Sequence, residues 1–189
     1  MLPMTLVLAY LTCLTGLTST AIATPTTIER STPQASWCID RGSAEMLASR
    51  YADLLSAFTP AKAEAVLTAD FTETSDSINL LSGKPLGTTP TYASREEFIA
   101  AQQQRDQPAP AQMDIDSVLA VTCDAVVVRW IQHFIISNTT SSNSSTVPVV
   151  AAGVSVLGAA MRDDDWRVAS VVMEFNSAAY IRCHGGVCL

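Results

Sequence analysis

The sequence predicts an α+β domain, with helices in the first half and an antiparallel run of strands in the second. Two observations carry this. Leu47, Tyr51, Leu54, Leu55 and Phe58 recur at i, i+4, i+7, i+8 and i+11, which is one face of a helix. From Gln112 onward the pattern changes to runs dense in Val, Ile, Trp and Phe, separated by polar turns, which is how strands read.

Each element follows in order. Leu2 to Leu17 is nearly all apolar or small, yet too short and too rich in Thr for a good membrane span. The run ends in Ala21-Ile22-Ala23, a small-x-small cleavage pattern, with Thr24-Pro25 behind it. Residues 1–23 therefore read as a signal peptide cleaved after about Ala23, and the protein as secreted. The alternative is a buried N-terminal helix. Residues 24–36, rich in Thr, Ser and Pro, read as a flexible leader; the domain is expected over 37–182, with 183–189 a short Cys-containing tail. No later stretch is apolar enough to span a bilayer, so no membrane partner is expected.

The first helix carries the Leu47–Phe58 face. A second opens at Thr59-Pro60, a good N-cap followed by a residue tolerated at the first helical position, and runs to near Asp70-Phe71. Residues 72–93 read as irregular, with a short strand over Phe71 to Ser77. A third helix opens at Ser94, where Ser94 and Glu97 have capping-box spacing, and Pro108 and Pro110 stop it. Strands follow over Met113–Val121, Ala125–Ser137, Val149–Met161 and Trp166–Phe175, with a polar loop over 137–148 and a turn at Arg162-Asp163-Asp164-Asp165.

The net charge of −7 lies entirely outside the first 23 residues. An acidic domain repels phosphate backbones, so nucleic acid is not an expected partner. Beyond Cys13, four cysteines remain: Cys38, Cys123, Cys183 and Cys188. In an oxidising compartment an even count reads as two disulfides. Of three pairings, Cys38–Cys123 with Cys183–Cys188 is favoured, because the second pair encloses His184-Gly185-Gly186-Val187, which allows a tight turn. A zinc site from Cys183, His184 and Cys188 matches no common spacing, so no metal is expected. Sequons at Asn138 and Asn143 mark a Ser/Thr-rich loop able to carry glycans. Glycine-rich phosphate loops, His-Glu-x-x-His and Gly-x-Ser-x-Gly do not occur, which counts against nucleotide and hydrolase readings.

Two helices ending in Leu-Thr-Ala-Asp-Phe, a third beginning Ser-Arg-Glu-Glu-Phe, and strands joined by an acidic turn before Trp166-Arg167-Val168 together resemble the NTF2-like superfamily. That superfamily includes ketosteroid isomerases, SnoaL-type polyketide cyclases and scytalone dehydratase. The chain is similar, more narrowly, to secreted fungal NTF2-like proteins. Trp37-Cys38, Asp70-Phe71, Ser75-Asp76-Ser77-Ile78-Asn79, Cys123-Asp124 before Val127-Val128-Arg129-Trp130, and Glu174-Phe175-Asn176-Ser177 carry that likeness over roughly residues 37–180. The resemblance implies a cone, with a curved sheet wrapped on helices around an apolar pocket. It also implies a cofactor-free cyclase or isomerase of fungal secondary metabolism, assisting cyclisation or dimerisation of a polyketide-derived substrate such as an anhydride. The alternative is a non-catalytic secreted protein, binding a small apolar ligand or acting as an effector. The His pair of the dehydratase has no counterpart, and the Tyr–Asp arrangement of the isomerases has no clear match.

Such chemistry needs an acid or base inside an apolar pocket, where burial shifts its pKa toward neutrality. His133 shares a strand face with Arg129 and Ile131; Glu174 and Asn176 share a face opposite Met173 and Phe175. Asp76 and Tyr92 fall in the irregular segment near the pocket mouth of this fold. The catalytic reading makes His133 or Asp76 the base, Glu174 its partner, Tyr92 a hydrogen-bond donor and Arg129 an anion stabiliser. The competing reading makes Arg129 and Glu174 a cross-strand ion pair on the outer face, and Trp130, Phe134, Trp166 and Phe175 core. A catalyst predicts two or three ionisable groups on the pocket wall; a carrier predicts aliphatic lining alone. Apolar residues on both faces of Val126–Ile136 also allow a homodimer.

Overall fold

A computed structural model describes residues 38–104, 112–138 and 145–183. The chain runs α1 (Arg41–Ser56), α2 (Pro60–Val66), β1 (Leu67–Thr74), α3 (Asp76–Leu81), α4 (Arg95–Gln103), β2 (Gln112–Val121), β3 (Ala125–Asn138), β4 (Ser145–Arg162), β5 (Asp165–Phe175) and α5 (Ser177–Cys183). The architecture is α+β: five strands in the order β1-β5-β4-β3-β2, with helices against one face. Pairing from β2 to β5 is antiparallel, as the strand pattern predicts, and β1 adds a parallel edge against β5.

The helix starts are set by side-chain caps. Thr59 accepts a hydrogen bond from the Lys62 amide, with Pro60 at the first helical position. Ser94 accepts from the Glu97 amide at 3.1 Å, and Glu97 reaches back to the Ala93 amide at 2.8 Å. Two boundaries differ from expectation. The second helix ends at Val66 rather than near Phe71, because Leu67–Thr74 carries three β-branched threonines and alternates about buried Phe71. Residues 76–81 form a helix where the pattern reads as irregular. The Ser75 hydroxyl caps it, and its buried residues are polar Ser77 and Asn79, so it shows no apolar period.

Asp163 and Asp164 take φ of 51° and 60°, the left-handed pair that a two-residue hairpin between β4 and β5 needs. Ile39, Leu47, Leu54, Phe71, Val128 and Leu157 are among the fully buried side chains between helices and sheet. Gly153 makes room for one more: a Cβ there would lie 2.3 Å from the Trp130 indole, so glycine seats that ring on the sheet. Cys38 and Cys123 form a disulfide across a separation of 85 residues, tying the start of α1 to the β2–β3 turn. Closing a loop of that length stabilises the fold by about 4.5 kcal/mol in the chain-entropy picture. The pair Cys183–Cys188 reaches a residue outside those described, as do Asn143 and residues 1–36; Asn138 is the last residue of β3. Among the described residues no helix is long and apolar enough to cross a membrane.

Candidate active site

A cavity of about 240 Å³ opens between the helices and the inner face of the sheet. Its wall is mostly apolar and aromatic: Leu55 of α1, Ile78 and Leu81 of α3, Phe98 of α4, Trp130 of β3, and Met173 and Phe175 of β5. Polar groups enter at a few points, chiefly Tyr51, Glu73, Tyr92 and Gln132.

Glu73 is placed by strand alternation. Phe71, Glu73 and Ser75 share the inward parity of β1 and its end, and Glu73 is only 2% exposed. Its carboxyl accepts one long hydrogen bond, from the Tyr51 hydroxyl at 3.5 Å. Burial pushes the carboxyl up to about 7, while the Tyr51 hydrogen bond pulls it back. Tyr51 in turn is driven well above the usual phenol range, first by its own burial and then by the negative charge of Glu73. Among the described residues no lysine, arginine or histidine lines this cavity.

Tyr92 reaches the site through the backbone. The Glu73 amide donates to the Tyr92 carbonyl at 2.9 Å, and the Thr91 and Tyr92 amides donate to the Glu73 carbonyl at 2.7 and 3.2 Å. The Tyr92 ring meets Phe98 edge-on at 5.4 Å, with the Lys84 ammonium 5.4 Å from its centroid. On β3, Val126, Val128, Trp130 and Gln132 point inward. The Trp130 indole N–H donates to the Ser155 hydroxyl at 2.9 Å, so the ring is anchored and its polar atom satisfied.

Of the residues singled out from the sequence, Tyr92 lines the cavity and the other four do not. His133 and Arg129 alternate with Trp130 and therefore face outward. His133 Nε2 lies 3.2 Å from the Asp114 carboxylate, both side chains nearly half exposed. Arg129 pairs with Asp116 of β2 rather than Glu174. The reason is topological: β4 lies between β3 and β5, which separates those two strands by about 10 Å. Glu174, also outward, accepts from the amides of Asp76 at 2.8 Å and Ser77 at 3.1 Å and from the Ser77 hydroxyl. The half-buried Asp76 accepts from the Gly87 amide at 2.8 Å. Glu73, Tyr51 and Gln132 are absent from the sequence-based candidates. The signal for Glu73 was available: a carboxylate two residues after Phe71, at the inward parity of a strand.

The arrangement as a whole is an apolar chamber with one near-neutral carboxyl and two phenols. A family model for the NTF2-like domain matches residues 37–187. Among solved structures, the chain is similar to IdmH, a proposed polyketide cyclase from Streptomyces antibioticus, at 12% identity and a TM-score of 0.56, covering 75% of this chain and 98% of that one. It is similar to TsrD from Streptomyces laurentii at 14% identity and a TM-score of 0.53, covering 79% and 99%. A proposed SnoaL-like polyketide cyclase from Jannaschia sp. CCS1 aligns at 13% identity and a TM-score of 0.53, covering 80% and 96%. At these identities the likeness is one of fold. No curated protein sequence matches the chain.

Proposed function

The chain belongs to the NTF2-like family, and from that premise we propose that it is a cofactor-free acid–base catalyst of the cyclase or isomerase type, with Glu73 as its proton-transfer group. The buried carboxyl itself carries the reading. A glutamate near pH 7 is present in both protonation states at neutrality, so it accepts a proton in one half-step and returns it in the next. Moving a proton at carbon beside a carbonyl needs that and a hydrogen-bond donor for the developing enolate oxygen. Tyr92 and the Gln132 amide supply donors on the same wall, and Tyr51 holds the Glu73 carboxyl. The three ionisable groups Tyr51, Glu73 and Tyr92 favour this reading over a carrier, whose cavity would be lined by aliphatic side chains alone.

The cavity lies just below the roughly 300–1,000 Å³ of drug-sized ligand sites, so the substrate is a compact, apolar, carbonyl-bearing molecule. The same proposal includes a polyketide-derived substrate such as an anhydride, its cyclisation or dimerisation, and a secreted fungal setting. The small-x-small leader, the sequons and the Cys38–Cys123 disulfide, a bond that oxidising compartments preserve, support secretion. Exposed Val154, Val156 and Val172 on the outer sheet face suit a homodimer.

Deuterium incorporation tests the reading before the full reaction is known. The protein is incubated in D2O with small neutral β-diketones and polyketide-like anhydrides, and label beside the carbonyl is followed by mass spectrometry. The native protein should accelerate labelling, and Glu73→Gln should lower that rate by about 10²–10⁴-fold. Equal rates for the two would remove Glu73 from the mechanism.

A further inference from the structure

Residues 75–92 form part of the cavity wall, yet they are held to the fold in a different way from the rest of it. Ile78, Leu81 and Ser82 face the cavity. Leu80 and Leu86 are 56% and 55% exposed on the other side. What α3 buries against the protein is Ser77 and Asn79. Ile78 and Tyr92 pack against the core, but the fully buried residues of α3 are polar, so directional hydrogen bonds carry much of the segment's attachment.

The centre of that set is Glu174. Its carboxylate takes both amides at the start of α3, those of Asp76 and Ser77, together with the Ser77 hydroxyl. Ser77 Oγ also accepts from the Phe175 amide at 3.1 Å, which joins α3 to the strand that carries Met173 and Phe175 into the cavity. Secondary ties close the segment on itself: Asp76 accepts from the Gly87 amide, the Asn79 side-chain amide donates to the Thr89 carbonyl at 3.0 Å, and the Ser75 amide donates to Thr91 Oγ1 at 2.8 Å. A charged acceptor with three donors is the strongest single link among these.

We propose that Glu174 is a positioning residue for the cavity: from the outer side of β5 its carboxylate latches α3, so that Ile78 and Leu81 close the apolar chamber over Glu73. This rests on reading that chamber as the functional site. Hydrogen bonds to the solvent-facing side exchange readily with water, whereas the apolar core beneath does not, so the wall opens here before it opens elsewhere. Opening admits water to Glu73. The titratable groups that face Glu73 are Tyr51 from α1 and Tyr92 from the segment itself; β3 and β5 present Trp130, Gln132, Met173 and Phe175, none of which titrates.

The test uses the full chain and two readouts that need no substrate. Amide hydrogen exchange is followed by mass spectrometry in the native protein, Glu174→Ala and Glu174→Gln, and the Glu73 carboxyl is titrated in each by carbon-13 NMR. Glu174→Ala should speed exchange over residues 76–82 by about tenfold or more relative to β3 and β4. It should also move the Glu73 midpoint down from about 7 toward the usual 4.5, as water reaches the carboxyl. Glu174→Gln, which keeps an acceptor oxygen and remains available if the alanine variant does not fold, should show a smaller change in the same direction. Exchange unchanged over 76–82, exchange raised equally everywhere, or faster local exchange with the Glu73 midpoint unmoved would each overturn the proposal. The catalytic reading is judged separately by deuterium incorporation in Glu73→Gln, so either can fail alone.

Discussion

The two faces of the sheet place acidic groups in opposite settings. On the inner face the Glu73 carboxyl is buried, accepts a hydrogen bond from the Tyr51 phenol, and is pushed up to about 7. On the outer face Asp114 and Asp116 stand in solvent beside His133 and Arg129. Both settings occur on strands whose side chains alternate, so one residue of parity separates a solvated ion pair from a buried carboxyl. The pairs on the outer face are easy to recognise as charges and contribute little, since exposed ion pairs are worth about 0–1 kcal/mol. The inner carboxyl costs stability, because burial disfavours its charged form.

The widest gap between the faces should be in rate. Glu73→Gln is expected to lower deuterium incorporation by about 10²–10⁴-fold, while His133→Ala and Arg129→Ala, being solvent-facing, stay within about twofold of the native rate. A large loss in either surface variant would collapse the distinction. Next comes stability measured by chemical denaturation. Trp130→Ala removes a fully buried ring seated on Gly153 and should cost about 3–5 kcal/mol. Arg129→Ala, one residue away on the other face, should cost less than about 1 kcal/mol.

The pH dependence of stability sharpens the comparison further. The folded-state value for Glu73 is raised, so stability is fully present below about 4.5 and is lost as pH rises toward and through 7, where the folded protein must ionise a buried group that the unfolded chain ionises freely. A shift from 4.5 to about 7 amounts to about 3 kcal/mol. Glu73→Gln should therefore be more stable than the native protein by up to about 3 kcal/mol at pH 8, with the advantage gone below pH 4.5; denaturation at the two pH values checks this. A smaller effect on the inner face belongs to Tyr51→Phe. Losing the hydroxyl should raise the Glu73 midpoint, because that hydrogen bond favours the charged form, and cost about 1 kcal/mol. A midpoint that falls would show that Tyr51 opposes ionisation instead.

Much of the fold was legible because its determinants are local. Thr59-Pro60 and Ser94 with Glu97 mark helix starts through hydrogen bonds within three residues. The Val-rich runs of β3 and β5 and the acidic turn at Asp163-Asp164 mark the hairpins. What the sequence hides is set by distant partners. The Phe71–Thr74 end of β1 is legible as a short strand, but its extension back to Leu67 is paired in parallel with β5, and α3 is a helix held by its Ser75 cap and by Glu174, 97 residues from Ser77 and 98 from Asp76. The site divides the same way. Tyr92 was legible as a group near the pocket mouth. His133 and Glu174 stand out as ionisable residues on Val-rich strands, but parity turns both outward. Glu73 is hard to see because Thr72, Glu73 and Thr74 are all polar, and the inward position of Phe71 is what reveals that Glu73 shares its side of the strand.

The most direct test is a carbon-13 NMR titration of the Glu73 carboxyl in the native protein, assigned by the resonance missing in Glu73→Gln. A midpoint near 7 is expected if the buried carboxyl is poised for proton transfer. A midpoint near the usual 4.5 would contradict that claim and reduce the cavity to a binding site.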